Sequence, residues 1–460
     1  EGGFFQRVER GTWAGHVAEH IALELQGLAG HRVTFGKTFT LKEKGMYNMV
    51  FRYLDEHVGL RAGEMAVEMV RDLFDGKSTE IAPLVEELKT IAQTAQFGPS
   101  TQAIIDEARA RGIPYLRLND QSYVQLGQGK FQRRIEATLM DDTSALGVEI
   151  AADKGRTKQI LSENGIPVPK GHTVRSEEKA LETAASLGYP VVVKPLAGNH
   201  GRGVSTNIRS EEELKEAYTQ ARAISAKVVV EKYLEGFDFR LLVINGQFQA
   251  AALREPAYVT GNGTDTIQEL VDAVNRDPNR GEGHEKALTK VTFGKESVRL
   301  LGLKNYNRHS VPEAGEKVYI QSTANLSAGG TAADITDRVH PLNQKMAERV
   351  ARLIGLNVMG IDLIADYVDQ PVREGTAGIV EVNAGPGLRM HLHPSSGMPR
   401  NVARPIVDML FPEGVQHSVP ICAVTGTNGK TTTTRMISHI LSLNGCIVGM
   451  SSTDAVVIDN

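Results

Sequence analysis

The chain has 460 residues, enough for roughly two to four domains. Hydrophobic residues make up 41% and charged residues 23%, the balance of an ordinary globular protein, and a net charge of −4 gives no general attraction for nucleic acid. Two cysteines, Cys422 and Cys446, exclude a disulfide scaffold and predict a reducing, cytoplasmic setting; no apolar run reaches membrane-spanning length and no signal peptide is visible.

The chain opens on Glu1 rather than Met and stops at Asp459-Asn460 just after a strand-like run, so a longer protein is expected. Residues 1–149 predict an α+β domain. Within it, 15–26 reads as a helix, 32–41 and 47–58 alternate like strands, and 62–74 and 81–93 read as helices. Residues 100–118 predict a helix and then a short strand, with Gly112-Ile113-Pro114 as the break. Residues 150–415 form the second region. It opens with a helix at 154–164 ended by Gly165 and Pro167, followed by a buried strand at 190–194, a helix at 211–224, a strand at 228–232 and a late strand at 379–383. Residues 416–460 begin a third, α/β region.

The second region carries the densest chemistry. In PVVVKPLAGNHGRGVSTNI a strand delivers Lys194, and a loop follows with His200, Gly201, Arg202 and Gly203. Glycines let backbone N–H groups approach phosphate oxygens, and Lys and Arg supply charge. VVVEKYLEGFDFR then runs a strand into a hinge, where the backbone of Lys232, Tyr233 and Leu234 is placed to read an adenine edge and Asp238 to accept ribose hydroxyls. GIDLIAD supplies Asp362, and IVEVNAGPG supplies Glu381 and Asn383 two apart on a strand, hence on one face. These three offer hard oxygen ligands suited to Mg²⁺ on ATP phosphates.

The order of these elements resembles the ATP-grasp superfamily over residues 150–411, which implies ATP-dependent joining of a carboxylate to an amine through an acyl-phosphate. The resemblance implies nucleotide contacts from Lys154, Lys194 and Lys232, a phosphate-covering loop at 200–203, and adenine and ribose contacts from Glu231, Tyr233 and Asp238. It also makes Arg240 and Arg254 clamps for an oxyanion or substrate carboxylate, with surface ion pairing as the competing role for Arg254. Asn325 and Ser327 in STANLSAGG are expected near the reaction centre, and Arg389, His391 and His393 near the acceptor pocket.

In the third region, ICAVTGTNGKTTTT has the form strand, glycine turn, helix start. Its Gly426, Asn428, Gly429, Lys430, Thr431 and Thr432 are P-loop candidates for phosphate and Mg²⁺, although Val424 stands where the general pattern has Gly. The short form GTNGKTT resembles Mur-type peptide ligases.

In the first region, GHVAEHIALELQ places His16 and His20 four apart on a helix, with Glu19 beside them. The pattern H-x-x-E-H resembles inverted zincins, which implies Zn²⁺ on the histidines, Glu19 as general base and a later Glu, here Glu86 or Glu87, as third ligand. The competing reading is a polar helix face, continued by Glu24.

The fusion of these parts, with DPNRGEGH, STANLSAGG and GPGLRMHLHP, closely resembles the cyanophycin synthetase family over the whole chain. The resemblance implies polymerisation of L-aspartate and L-arginine on a cyanophycin primer: the ATP-grasp module adds Asp to the chain's C-terminal carboxylate, and the Mur-like module adds Arg to the Asp side chain. A relative that joins aspartyl-arginine dipeptides is the alternative within the ligases. A metal-dependent hydrolase in the first region, cutting polymer into primers, is the alternative from another class, with a polymer-binding scaffold as its rival. A homo-oligomer is expected.

Overall fold

A computed structural model describes residues 2–458 other than 44, 198–202, 282–285 and 287. The first helices are α1 (Gly2–Glu9) and α2 (Ala14–Leu28), followed by the antiparallel hairpin β1 (Gly36–Thr40) and β2 (Tyr47–Phe51), then α3 (Glu56–Phe74) and α4 (Ile81–Ala95). Ala18, Ala22 and Leu25 recur at helical spacing on α2 and are buried. They meet Val58, Ala62, Met65 and Ala66 of α3, while Val85, Leu88 and Ala92 of α4 close the same core. The alternation read as a strand through residue 58 ends at Phe51. Asp55 caps α3 instead, accepting from the His57 and Val58 N–H groups at 2.9 and 3.1 Å, and such a cap is worth about 1 kcal/mol. The segment 32–35 likewise precedes the strand rather than forming part of it.

Helix α5 (Pro99–Ala110) leads into a four-stranded antiparallel meander of β3 (Tyr115–Arg117), β4 (Tyr123–Leu126), β5 (Arg133–Glu136) and β6 (Leu139–Met140). Two short helices follow, α6 (Ala145–Ala152), capped by Ser144, and α7 (Lys154–Glu163), capped by Asp153.

The next lobe consists of β7 (Gly171–Val174), α8 (Glu177–Leu187), β8 (Val191–Pro195), β9 (Ser205–Ile208), α9 (Glu211–Ile224) and β10 (Val228–Lys232), with sheet order β7-β10-β8-β9. Val191 and Val193 of β8 and Val228 and Val230 of β10 pack with Ala180 and Ala184 of α8 and Leu214, Ala217 and Ala221 of α9. By strand alternation, Lys194 and Glu231 take the opposite face.

The larger lobe starts with β11 (Phe237–Ile244) and β12 (Gln247–Glu255). An excursion with its own core follows: β13 (Tyr258–Thr260), α10 (Ile267–Asn275), β14 (Arg280–Gly281), β15 (Leu288–Thr289), α11 (Lys295–Leu303) and β16 (Lys317–Tyr319). The chain returns as β17 (Thr331–Asp334), α12 (Pro341–Ile354), β18 (Val358–Ala365) and β19 (Gly378–Ala384), completing an antiparallel sheet in the order β17-β12-β11-β18-β19. Both faces of this sheet are covered. Leu241 and Val243 pack with Ala347, Val350 and Ile354 of α12. Leu242 and Ile244 pack with Ile104 and Ile105 of α5, Val124 and Leu126 of β4, and a later helix through Ile406 and Val407. Truncating Leu241 to Ala would cost about 2–5 kcal/mol.

The chain continues through α13 (Arg389–Leu392), α14 (Ala403–Leu410), which carries Ile406 and Val407, and α15 (Lys430–Leu443), then the hairpin β20 (Gly449–Ser451) and β21 (Val456–Ile458). The buried strand read before the P-loop is not formed: residues 420–425 are irregular and Ile421 is 76% exposed. A buried strand needs neighbours on its edges and faces, and none pairs with this segment among the described residues. Among the described residues no helix is long and apolar enough to cross a membrane.

Candidate active site

Between the two sheets, helix α7 reaches both. Lys158 and Lys194 each bond one oxygen of Glu231, Lys194 at 2.5 Å to Oε1 and Lys158 to Oε2. Glu231 and Lys194 are buried. Burial opposes ionisation of Glu231, but the two ammonium groups outweigh it and hold its carboxyl below the usual range. Burial also lowers the Lys158 ammonium, with Glu231 opposing. Two cations share one anion, so the triad keeps an excess positive charge, suited to a polyphosphate. Gly171 stands opposite Glu231 in the β7–β10 pairing, and a Cβ there would collide with Val230 O and Glu231 Cβ. Lys158 is a site residue the motif reading missed. Its signal was present: it lies four residues after Lys154, on the same helix face.

One turn earlier on α7, Lys154 Nζ lies 3.4 Å from Glu381 Oε1 on β19. Strand register then assembles the rest. Asp238 pairs across with Arg254, Arg240 with Asp362, Asp362 with Glu381, and Gly360 with Asn383. Arg240 grips Asp362 through Nε and through Nη2 at 3.2 Å. Arg254 holds Asp238 at 2.7 Å and also reaches Asp362 Oδ2 at 3.0 Å. Asn383 Nδ2 lies 3.5 Å from the same Asp362 oxygen. Burial opposes ionisation of Asp362, but Arg240 and Arg254 outweigh it and depress its carboxyl. Asp238 is pushed the other way, by burial first and by Asp362, with Arg254 opposing. The Arg254 guanidinium is stabilised in its charged form by Asp362 and Asp238 against burial. Asp362, Glu381 and Asn383 therefore converge from adjacent strands, and two carboxylates with an amide oxygen form a donor set that fits Mg²⁺.

Several expected contacts are modified by the structure. The Lys232 side chain turns to the face away from Glu231 and donates to Gly188 O at 2.9 Å and Tyr189 O at 3.2 Å. The N–H groups of Lys232 and Tyr233 are taken by Lys170 O and Pro190 O. Of the three hinge amides, only that of Leu234 has no partner among the described residues. Asp238 is not a free ribose acceptor, since it already takes three hydrogen bonds from Arg254. That bidentate, buried pairing also removes the surface-ion-pair role for Arg254. Gly203 closes the loop before β9, whereas His200, Gly201 and Arg202 lie outside the described residues. Asn325 stands at the N-cap position of a short 3-10 turn without a side-chain cap bond, and its Nδ2 donates to Thr323 Oγ1 at 3.5 Å. Its loop feeds β17, whose Ala332 pairs with Arg254. His391 is buried beside the arginines, neither ring nitrogen has a partner among the described residues, and burial and then Arg240 push its imidazole down to about 3.

In the first region, ligand atoms of His16, Glu19 and His20 lie within 4.8 Å of one another. Thr38 Oγ1 donates to Glu19 Oε2, and Gly36 leaves the room that Glu19 occupies, since a Cβ there would collide with its carboxylate. His16 Nε2 is buried without a partner among the described residues, and Phe4 stacks on His20 with centroids 4.0 Å apart. Burial, and then His16, lower the His20 imidazole. The two imidazoles are donors that fit Zn²⁺, and the Glu19 carboxylate lies beside them, placed to take a proton. The expected third ligand is a correction. The Glu86 side chain is 70% exposed and paired with Lys89 at 2.7 Å, and Glu87 is paired with Arg61 at 2.7 Å. Lysine and arginine neighbours compensate both carboxylates at the surface, and neither joins the cluster.

In the third region, Gly429 caps α15 with φ 78°, and Lys430 and Thr431 open the helix as expected for a P-loop. Lys430 Nζ bonds Gly426 O at 2.7 Å and Thr427 O at 3.2 Å. Thr432 continues the first turn, and Asn428 sits in the preceding bend.

Comparison with known proteins agrees with this assembly. Residues 1–75 match the cyanophycin synthase-like N-terminal domain, residues 153–240 the carbamoyl-phosphate synthase L chain ATP-binding domain, and residues 424–459 the Mur ligase middle domain. The chain is 49% identical over 464 residues to the cyanophycin synthetase of Synechocystis sp., covering 100% of this chain and 53% of that protein. It is 47% identical over 463 residues to the cyanophycin synthetase of Trichormus variabilis, covering 99% of this chain and 51% of that protein. Among solved structures, a bifunctional glutathione synthetase from Pasteurella multocida matches with a TM-score of 0.54 and 28% identity, over 76% of this chain and 49% of that one. The chain thus spans about half the length of the curated relatives it matches. With an ATP-grasp module between these two flanking domains, and identity of this level along its whole length, the chain belongs to the cyanophycin synthetase family.

Proposed function

We propose that this chain carries an ATP-dependent carboxylate–amine ligase, and that it extends cyanophycin by adding L-aspartate to the C-terminal carboxylate of the polymer or primer. The observation that carries this reading is the convergence of Asp362, Glu381, Asn383, Arg240 and Arg254 on adjacent strands, joined through α7 to the Lys158–Glu231–Lys194 triad. Lys194 and Lys158 would hold phosphate charge, and Leu234 N–H would read the adenine edge. Bound Mg²⁺, held by Asp362, Glu381 and Asn383, would neutralise the transferring phosphoryl group. Arg240 and Arg254 then face the activated carboxylate, where fixed charges stabilise the oxyanion as the amine attacks. Little covalent chemistry falls to the protein; positioning and charge do the work.

The Mur-like segment, in the longer protein, would add L-arginine to the aspartate side chain with a second ATP, using the Lys430–Thr431 loop. Feeding Asp, Arg and the aspartyl-arginine dipeptide separately, with primer present, and measuring ADP release separates this from the dipeptide-polymerising alternative. A Glu381→Ala variant that kept full aspartate-dependent ADP release would sink the ligase reading.

A second reading concerns the first region and rests on the buried, unpartnered His16 Nε2 inside the His16–Glu19–His20 cluster. There His16 and His20 would hold Zn²⁺ and Glu19 would take a proton from an attacking water, cutting polymer internally into primers. Its experiment is metal content together with release of short chains from purified polymer.

A further inference from the structure

Four arginines are buried among the described residues: Arg240, Arg254, Arg280 and Arg389. The first two are neutralised by Asp238 and Asp362. Among the described residues the other two are not. Arg280 donates through Nη1 to Thr289 O at 2.6 Å and Gly329 O at 3.1 Å. Arg389 donates through Nη1 to Lys286 O at 3.2 Å and through Nη2 to Thr289 Oγ1 at 3.3 Å. Every one of these partners is neutral. No carboxylate lies within ion-pair distance of either guanidinium among the described residues; Glu282 and Glu285 are outside them. Burial disfavours the charged form of both, opposed only by the more distant Asp277 at Arg280.

Both guanidiniums meet at Thr289, so they form one locus. That locus borders the reaction centre. Gly329 lies two residues before Thr331, which pairs with Glu255 next to Arg254. Arg389 begins α13, just beyond the Mg²⁺-ligand strand β19, and its neighbour Met390 packs on Ala252, which pairs with Arg240. Two buried, uncompensated cations are costly unless an anion arrives to meet them. Among the described residues Arg280 commits only Nη1, leaving Nε and Nη2 for a carboxylate fork.

We propose that Arg280 and Arg389 bind the two carboxylates of the incoming amino acid, so that this end of the site selects a dicarboxylic amine. The assignment rests on the ligase reading above. It presents the amine, the one group left unbound, toward Arg240 and Arg254, where the activated carboxylate lies.

The test uses the full-length enzyme with primer and ATP, read by ADP release. On the wild type, succinate should inhibit competitively against aspartate, and butyrate, with one carboxylate fewer, roughly tenfold or more weakly. Arg280→Gln and Arg389→Gln should each raise KM for aspartate roughly tenfold or more while KM for ATP stays within about twofold. Arg389→Lys should recover part of that loss, because it restores charge without the fork. Equal inhibition by succinate and butyrate overturns the assignment, and it needs no variant to fold. So does a variant whose kcat falls or whose ATP KM rises with aspartate KM unchanged, which is the signature of loop anchoring alone. Absence of any aspartate-dependent ADP release in the wild type would instead remove the ligase reading, and this inference with it.

Discussion

The charge balance at the reaction centre can be tested by removing it one charge at a time. Asp238 and Asp362 face Arg240 and Arg254, two anions against two cations, and all but Asp238 are buried. Asp362→Asn leaves two guanidiniums to share Asp238. Arg240→Met leaves two carboxylates to share Arg254. Breaking a buried pair from one side costs about 3–5 kcal/mol, because the surviving charge stays in the interior. For a module of this size each kcal/mol moves Tm by about 2–4 °C, so each single variant should lose about 6–20 °C. The double variant removes one charge of each sign and leaves Arg254 on Asp238, whose contacts at 2.7, 3.0 and 3.1 Å do not involve the deleted groups. It should be no less stable than either single variant, a coupling on the order of 3 kcal/mol. Scanning calorimetry measures this, followed on the transition that ATP raises in the wild type. All three variants should lose aspartate-dependent ADP release, so stability and activity separate. If the double variant falls by the sum of the two singles, the four residues are not a closed charge network and the reasoning fails.

Three other outcomes follow from the same geometry. Lys158→Met should raise KM for ATP roughly tenfold or more by deleting a charge-assisted contact, while leaving primer affinity alone; an unchanged ATP KM in the ADP-release assay would remove Lys158 from the nucleotide site. Glu231 has its carboxyl depressed below its ordinary 4.5, burial working against ionisation and Lys194 and Lys158 prevailing, so its stabilisation is complete above about pH 4.5 and is lost as pH falls through the lower folded value. Glu231→Gln should therefore be less stable than wild type at neutral pH, with the gap closing as pH is taken below about 4.5 in chemical-denaturation midpoints; a gap that stays constant as the wild-type carboxyl is protonated would contradict the pairing. Glu19→Gln should retain bound metal and primer-dependent elongation but lose synthesis without added primer, whereas His16→Ala should lose metal by elemental analysis. Primer-free synthesis that survives Glu19→Gln refutes the hydrolase reading.

The fold was most legible where local signals agree with each other. The helix 211–224 and the strand 228–232 coincide with α9 and β10, because Ser210 caps the one and Val228, Val229 and Val230 fill the other. It was least legible where burial depends on distant partners. The alternating segment 47–58 has one periodicity throughout, yet the strand stops at Phe51 and its last three residues open a helix behind the Asp55 cap. The run at 421–424 is as apolar as a core strand, but apolar sequence does not supply the neighbouring strands that would bury it.

The candidate site divides along the same line. Asp362, Glu381 and Asn383 were legible because chain order and strand alternation suffice to place them on one face. Which cation holds which anion was not, because pairing is decided by register between strands far apart in sequence: Asp238 meets Arg254 only because β11 and β12 align at that step. Helix α7 shows what this adds. Its two lysines, four residues apart, attach to carboxylates on different sheets, Lys154 to Glu381 and Lys158 to Glu231. A ligand that draws either ammonium toward phosphate must loosen its carboxylate, and both lysines ride on one rigid helix of 10 residues. Filling the nucleotide site thus frees Glu381 for its metal at the same moment that it relaxes the Glu231 triad, so nucleotide and Mg²⁺ should bind with positive coupling, each tightening the other by the same factor. Lys154→Met should weaken this coupling to what phosphate–Mg²⁺ contact alone supplies: Mg²⁺ would still bind through Asp362, Glu381 and Asn383, but its affinity would rise less with nucleotide than in the wild type, and a coupling unchanged from wild type in paired titrations would refute the bridging role of α7.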